Sequence, residues 1–136
     1  MNKIKYLLAA LFLICSISSF GQILKFRTTA FASNSYNYYT QRWTGWSSWE
    51  NSDMLLTINL NNDVVTIYSP KTQIYSIYDF DGEFYDSDGD YNMVFWFIDQ
   101  DYDKGKMKLL QRTSGASEVY IEFSDLRWCY RVVRIY

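Results

Sequence analysis

The sequence predicts an all-β domain of eight to nine short strands, arranged as a small antiparallel meander barrel or as a two-sheet sandwich. Three observations carry this. Beyond Gln22 most apolar residues recur with a period near two. Glycine, asparagine and aspartate punctuate these runs at short intervals, as tight turns require. No segment after Gln22 carries an apolar stripe at helical spacing, so the sheets must cover one another or close on themselves.

The elements follow in order. Ile23 to Phe31 reads as a first strand and Tyr36 to Trp43 as a second. Met54 to Leu60 sets Leu56, Ile58 and Leu60 against Thr57 and Asn59. Asn61-Asn62-Asp63 then makes a hairpin turn, because Asn and Asp tolerate left-handed backbone angles. Val64 to Tyr68 returns, Pro70 breaks the run, and Gln73 to Phe80 follows. Tyr91 to Ile98 is apolar on both sides, with Met93, Phe95 and Phe97 facing one way and Val94, Trp96 and Ile98 the other. Such a strand is covered on both faces or meets a partner. Lys106 to Gln111 opposes Lys106 and Lys108 to Met107 and Leu109. After a turn around Gly115, Val119, Ile121 and Phe123 alternate with Glu118, Tyr120 and Glu122, and Arg127 to Tyr136 closes the chain. The sequential hairpins favour a meander; neither an internal repeat nor a low-complexity linker is visible.

Ahead of this domain, residues 1–21 have the layout of a cleavable signal peptide. Lys3 and Lys5 precede an apolar run from Tyr6 to Ile17, and Ser18 and Ser19 precede a cleavage point after Gly21. A spanning helix needs roughly 20 apolar residues, so a retained anchor is the weaker reading. Cys15 follows Ile14, where a lipid-attachment signal wants a small residue, so it reads as a passenger. Residues 22–136 are then a single domain of 115 residues. Lys3 and Lys5 leave with the signal, so 11 bases face 15 acids and the net charge becomes −4, which favours neither nucleic acid nor an anionic membrane. Cys129 alone remains, so the exported domain relies on its apolar core rather than on a disulfide. The expected location is periplasmic, cell-surface or extracellular.

Two constellations stand out. Asp79 to Asp103 holds nine of the chain's 15 carboxylates and no Lys or Arg. Asp86, Asp88 and Asp90 precede the strand at 91–98, and Asp99, Asp101 and Asp103 follow it. Aspartates at alternate positions gather oxygen ligands in calcium loops, but the helix–loop–helix calcium pattern wants Gly sixth and Glu twelfth. Those positions are Tyr91 and Phe97 counted from Asp86, and Lys104 and Leu110 counted from Asp99. Eight residues of strand separate the two loops by roughly 25 Å, so they share no ion. Solvated turns and a structural calcium site are the two readings; no other cofactor is expected.

The second constellation is aromatic. Tyr36, Tyr38, Tyr39, Trp43, Trp46 and Trp49 fall close together, with Thr44, Gly45, Ser47 and Ser48 between the tryptophans. A three-residue Trp spacing fits neither face of a straight strand, so at least one indole sits on a bend. Rings among small polar residues stack on sugars and anchor protein interfaces. The competing reading is a plug of rings at one end of a barrel core. Tyr36, Tyr38, Trp43, Trp46 and Trp49 are therefore the candidate ligand-binding residues.

Catalysis is not expected. The chain contains no histidine, which removes Ser-His-Asp and Cys-His arrangements and every His-based metal site. Cys129 has no base beside it in sequence and reads as a buried small apolar residue. Paired carboxylates for glycoside hydrolysis are present in number, but 115 residues leave little room for a cleft. The final strand, with Trp128, Tyr130, Val132 and Tyr136 at alternate positions, has the look of an outer-membrane barrel terminus. Charges on outward faces, and strands shorter than the 9–11 residues a membrane barrel needs, argue against that reading.

Phe20-Gly21-Gln22 resembles the export signals of Gram-negative gut anaerobes. Trp43-Thr44-Gly45-Trp46-Ser47-Ser48-Trp49-Glu50, Ser87-Asp88-Gly89-Asp90 and Glu122-Phe123-Ser124-Asp125 resemble segments of short uncharacterised secreted all-β proteins of such bacteria. This resemblance brings no known activity with it. Strand count and size are lipocalin-like as a fold analogy only, since Gln22 to Phe31 lacks that family's opening Gly-x-Trp. The functional expectation is a binding or interaction module whose aromatic surface contacts a glycan, a small apolar ligand or a protein partner. It is expected neither to bind nucleic acid nor to span a membrane after signal cleavage. The alternatives are a small barrel carrying an apolar ligand inside, and a structural component of the cell envelope.

Overall fold

The computed structural model describes residues 23–135; the signal peptide expected at 1–21 lies outside them. The strands are β1 (Ile23–Asn37), β2 (Arg42–Trp43), β3 (Glu50–Asn51), β4 (Leu55–Asn59), β5 (Val64–Ile67), β6 (Gln73–Tyr85), β7 (Tyr91–Ile98), β8 (Lys104–Gln111), β9 (Ser117–Glu122) and β10 (Leu126–Ile135). Every pairing is antiparallel. The strand order is β10-β9-β8-β7-β6-β5-β4-β1, and β10 pairs again with β1 from Lys25↔Ile135 to Ser35↔Leu126. That last ladder closes an eight-stranded meander barrel and eliminates the sandwich. The two-residue strands β2 and β3 lie outside this ring and pair only with β1.

Alternation decides which side chains fill the barrel. Leu24, Phe26, Leu56, Ile58, Val65 and Ile67 point inward from β1, β4 and β5. Met93, Phe95 and Phe97 of β7, Met107 of β8 and Ile121 of β9 are at most 1% exposed and meet them at the centre. Eight strands enclose an interior just wide enough for side chains to fill. Phe97 is accommodated because its cross-strand partner is Gly105: a Cβ there would lie 2.4 Å from the Phe97 ring and 2.7 Å from the Glu122 carbonyl oxygen. On the other side of β7, Val94 is buried and Trp96 lies beneath the Lys106 ammonium, 6.0 Å from the ring centre. The chain therefore covers both faces of this strand largely by itself.

Two strands run well past the ends their sequence pattern implies. β1 continues from Phe31 to Asn37 through small polar residues with no alternating signal, because β10 on one side and segment 42–51 on the other supply its hydrogen bonds. The expected second strand, Tyr36 to Trp43, is instead a tight hairpin between the end of β1 and β2. β6 runs on past Phe80 to Tyr85, with register shifts at Ile77/Asp79 and Phe80/Gly82 that absorb the Asp-Gly interruption. β1, β6 and β10 have 15, 13 and 10 residues, so strand length is no argument against a membrane barrel. The barrel interior is apolar, and Lys106, Lys108 and Glu122 lie on its outer face. No helix among the described residues is long and apolar enough to cross a membrane.

A bulge between Thr28 and Ala30 changes which side chains of β1 face inward. Before it, Thr28 shares the inner face with Val132; after it, Phe31 lies inside against Tyr130, and Ala32 lies outside beside Cys129. The hairpin loops 86–90, 99–103 and 112–116 are wired alike. In each, the first N–H donates to the fifth carbonyl, the fourth N–H donates to the first carbonyl, and the fourth residue has positive φ. Those fourth residues are Gly89, Tyr102 and Gly115, a 13-residue geometric repeat made of an eight-residue strand and a five-residue loop. One stretch of edge stays unpaired: β5 meets β6 only from Gln73 to Ser76, leaving that side of 78–85 without a strand partner among the described residues.

Candidate functional site

Residues 42–51 form a strap along the outer half of β1. Thr44 N–H donates to the Ser35 carbonyl (2.8 Å), Ser47 N–H to the Ser33 carbonyl (2.8 Å) and Gly45 N–H to Asn34 Oδ1 (3.0 Å). Gly45 sits at φ 96°, a left-handed angle that costs glycine little. This irregular path resolves the three-residue tryptophan spacing, because no strand alternation is imposed between the indoles. All three therefore lean the same way, over β1 and onto β10 and β9. Trp43 stacks on the Arg127 guanidinium at 3.8 Å and Trp49 on that of Arg131 at 4.1 Å. Trp46 meets Tyr120 edge-on, 5.8 Å between ring centres.

Between strap and barrel lies a hollow of about 360 Å³, lined by Ala32, Trp46, Ser47, Trp49, Arg112, Glu118, Tyr120, Cys129 and Arg131. It exists because two small residues, Ala32 and Cys129, are cross-strand partners on the outer face, with Tyr120 next in the same row. The walls are indoles that remain about half exposed, Trp46 at 46% and Trp49 at 40%. Such exposure is unusual for so large an apolar ring.

The hollow has a charged base. Glu118 is 4% exposed and accepts from Arg112 Nε, Tyr120 Oη (3.1 Å) and Cys129 Sγ (3.4 Å). Burial raises the Glu118 carboxyl. The Arg112 hydrogen bond and charge, with the Cys129 and Tyr120 donors, outweigh that and hold it below its usual range. Burial, reinforced by Glu118, pushes the Cys129 thiol far up, and burial does the same to the Tyr120 phenol. Cys129 is therefore a protonated donor at neutral pH rather than a nucleophile. Arg112 also reaches Asp90 Oδ2 (3.5 Å), whose Oδ1 accepts from Thr113 N–H (2.9 Å).

The structure divides the candidate ligand-binding residues. Trp46 and Trp49 wall the hollow. Tyr36, Tyr38 and Trp43 form a separate cluster near one barrel end, with Tyr36–Tyr38 and Tyr36–Trp43 ring centres at 5.2 and 5.6 Å and Tyr38 Oη donating to Asp125. None of these rings belongs to the barrel core, so the reading of the tryptophans as a core plug does not hold.

The aspartate loops lie at opposite ends of β7. Ligand oxygens of Asp86, Asp88 and Asp90 come within 4.8 Å of one another, and so do those of Asp99, Asp101 and Asp103. Asp86 Oδ1 accepts from the Asp88 and Asp90 N–H groups and Oδ2 from Asn92 (3.0 Å); these bonds, led by Asn92, lower its carboxyl. Asp99 Oδ1 likewise accepts from the Asp101 and Asp103 N–H groups, both at 2.9 Å. Each loop thus uses its first aspartate to fold its own backbone.

Arg112, Glu118, Tyr120 and Arg131 were not visible as site residues. Their signal was present but ordinary: Glu118-Val119-Tyr120 alternates outward and inward like any half-buried strand. Comparison of the chain with protein-family models, with curated proteins and with solved structures gives no match in any of the three. The geometry of the hollow is therefore the whole basis for function.

Proposed function

We propose that this chain is an exported, non-catalytic binding module of a Gram-negative bacterium, which holds a saccharide on the outside of its barrel. The observation that carries the reading is the hollow between Trp46, Trp49 and Tyr120. The half-exposed indoles of Trp46 and Trp49 are set around Ser47, Arg112 and Arg131, so an apolar sugar face can pack on a ring while hydroxyls reach polar groups. A hollow of about 360 Å³ is in the size range of small-ligand sites.

The test is intrinsic tryptophan fluorescence during titration with soluble oligosaccharides of several compositions. At least one quenches the wild type, and Trp46→Ala weakens that binding by about 2 kcal/mol, roughly thirtyfold in Kd. Unchanged affinity in Trp46→Ala would remove the hollow from the reading.

One observation favours the rival carrier reading. A second cavity, of about 370 Å³, opens at a barrel end between Phe31, Gln73, Tyr75, Trp128 and Tyr130. Against it, the space below is occupied by Phe97 and its neighbours, which leaves an apolar ligand only the mouth. Recovery of a bound apolar compound from extracted protein would move the site there.

A further inference from the structure

We infer that the saccharide is acidic, a carboxylate-bearing sugar whose charge is received by Arg131 while its ring lies against Trp46 and Trp49. This rests on reading the hollow as a saccharide site, and adds the sign of the ligand's charge. The ladder register aligns Trp96, Lys106, Glu122 and Arg127 in one outward row, and Val94, Lys108, Tyr120, Cys129 and Ala32 in the next. Lys104, Lys106, Lys108, Arg112, Arg127 and Arg131 thus gather on one side of the barrel. Two of them are matched, Lys106 by Glu122 (3.6 Å) and Arg112 by Glu118 and Asp90. Among the described residues, Lys104, Lys108, Arg127 and Arg131 have no carboxylate within salt-bridge distance, and each lies over an aromatic ring instead.

Within the hollow the imbalance is sharper. Glu118 is the one carboxylate of its lining, and Arg112, Tyr120 and Cys129 already hold it. Arg131 stands directly across the ladder from Glu118 but forms no salt bridge with it, so with that carboxylate held by Arg112 the lining keeps one cation in excess, and Lys108 lies over the Tyr120 ring at 4.6 Å. A guanidinium backed by an indole keeps its N–H edge directed outward, in the fork that matches a carboxylate through two hydrogen bonds. An occupant therefore meets aromatic faces and one uncompensated planar cation. A nucleic-acid strand also combines rings with negative charge, but such partners select domains with pI above about 9, whereas this chain has a pI near 5.0 and places Glu122 on the same face.

The experiment compares three probes by tryptophan quenching: galacturonate oligosaccharides, neutral galactose oligosaccharides of equal length, and oligothymidylate. Galacturonate binds at least tenfold tighter than the neutral sugar at low salt, the gap narrows in high salt, Arg131→Gln closes it, and Arg131→Lys restores part of it. Equal affinity for the two sugars overturns the acidic assignment and leaves the saccharide reading standing. Quenching by neither sugar overturns both. Tighter binding of oligothymidylate assigns the face to nucleic acid and also overturns both. Should Arg131→Gln alter the melting curve, the wild-type comparison of the two sugars and its salt dependence decide alone.

Discussion

Replacing Arg112 by methionine isolates the charged base of the hollow. The change leaves Glu118, only 4% exposed, with Tyr120 and Cys129 as donors and no hydrogen-bonded cation. Removing one member of a fully buried pair costs about 3–5 kcal/mol, and exposed pairs contribute about 0–1 kcal/mol. The Arg112 side chain is 41% exposed against 5% for Glu118, so the expected loss lies between these limits, at about 2 kcal/mol near pH 7. In a domain of this size that lowers Tm by about 8 °C.

The pH dependence carries the sign. In the wild type the Glu118 carboxyl is held below its usual range, so its contribution is present above that range and is lost as pH falls through the depressed value. In Arg112→Met burial dominates and the carboxyl moves above its usual range. The penalty is then complete above the raised value and disappears as pH falls towards the ordinary carboxylate value, about 4.3. Urea unfolding of wild type, Arg112→Met, Glu118→Gln and the double variant at pH 7 and pH 5 measures this directly. The deficit of Arg112→Met shrinks at pH 5, and Arg112→Met/Glu118→Gln recovers most of it at pH 7. A deficit that grows on acidification, or a double variant as weak as Arg112→Met, refutes the reasoning.

Further outcomes follow from the loops and the thiol. Tyr102 holds a left-handed angle (φ 63°) where the two equivalent loops have glycine, and its side chain is 87% exposed. Tyr102→Gly therefore stabilises by about 0.5–1 kcal/mol after the unfolded-state entropy of glycine is offset, raising Tm by about 2–4 °C; a lower Tm would show that the ring has a partner. The aspartates that open both acidic loops already accept backbone N–H bonds, so thermal melts in EDTA and in millimolar calcium coincide, whereas a rise of several degrees would establish a cation site. The Cys129 thiol is 1% exposed and raised by burial, so it reacts with a disulfide reagent only after unfolding; fast native labelling would mean that the strap opens.

Period-two alternation made the barrel legible, and it works best where one face meets the core. Tyr91–Ile98 was bounded correctly because Met93, Phe95 and Phe97 need an interior. It failed where hydrogen bonding rather than burial decides the strand: Ala32 to Asn37 is extended because two neighbours hold its backbone, which its small polar side chains do not record. The aromatic half of the hollow was legible because Trp43, Trp46 and Trp49 are conspicuous in composition and spacing. The polar half was not. Arg112, Glu118 and Cys129 come together through the β8–β9–β10 register, and a carboxylate in a strand looks the same whether water or a guanidinium receives it.

The unpaired edge of β6 gives the carboxylate-rich stretch a meaning outside ligand chemistry. An open row of backbone donors and acceptors invites another chain to add a strand, and such additions propagate. Here that edge is interrupted by two register shifts and flanked by Asp79, Asp81 and Glu83. A second copy approaching in strand register would bring carboxylates against carboxylates on a kinked backbone. The acids of 79–83 thereby oppose strand addition at the unpaired stretch of the wall, and replacing them with neutral residues would remove that repulsion without touching the core.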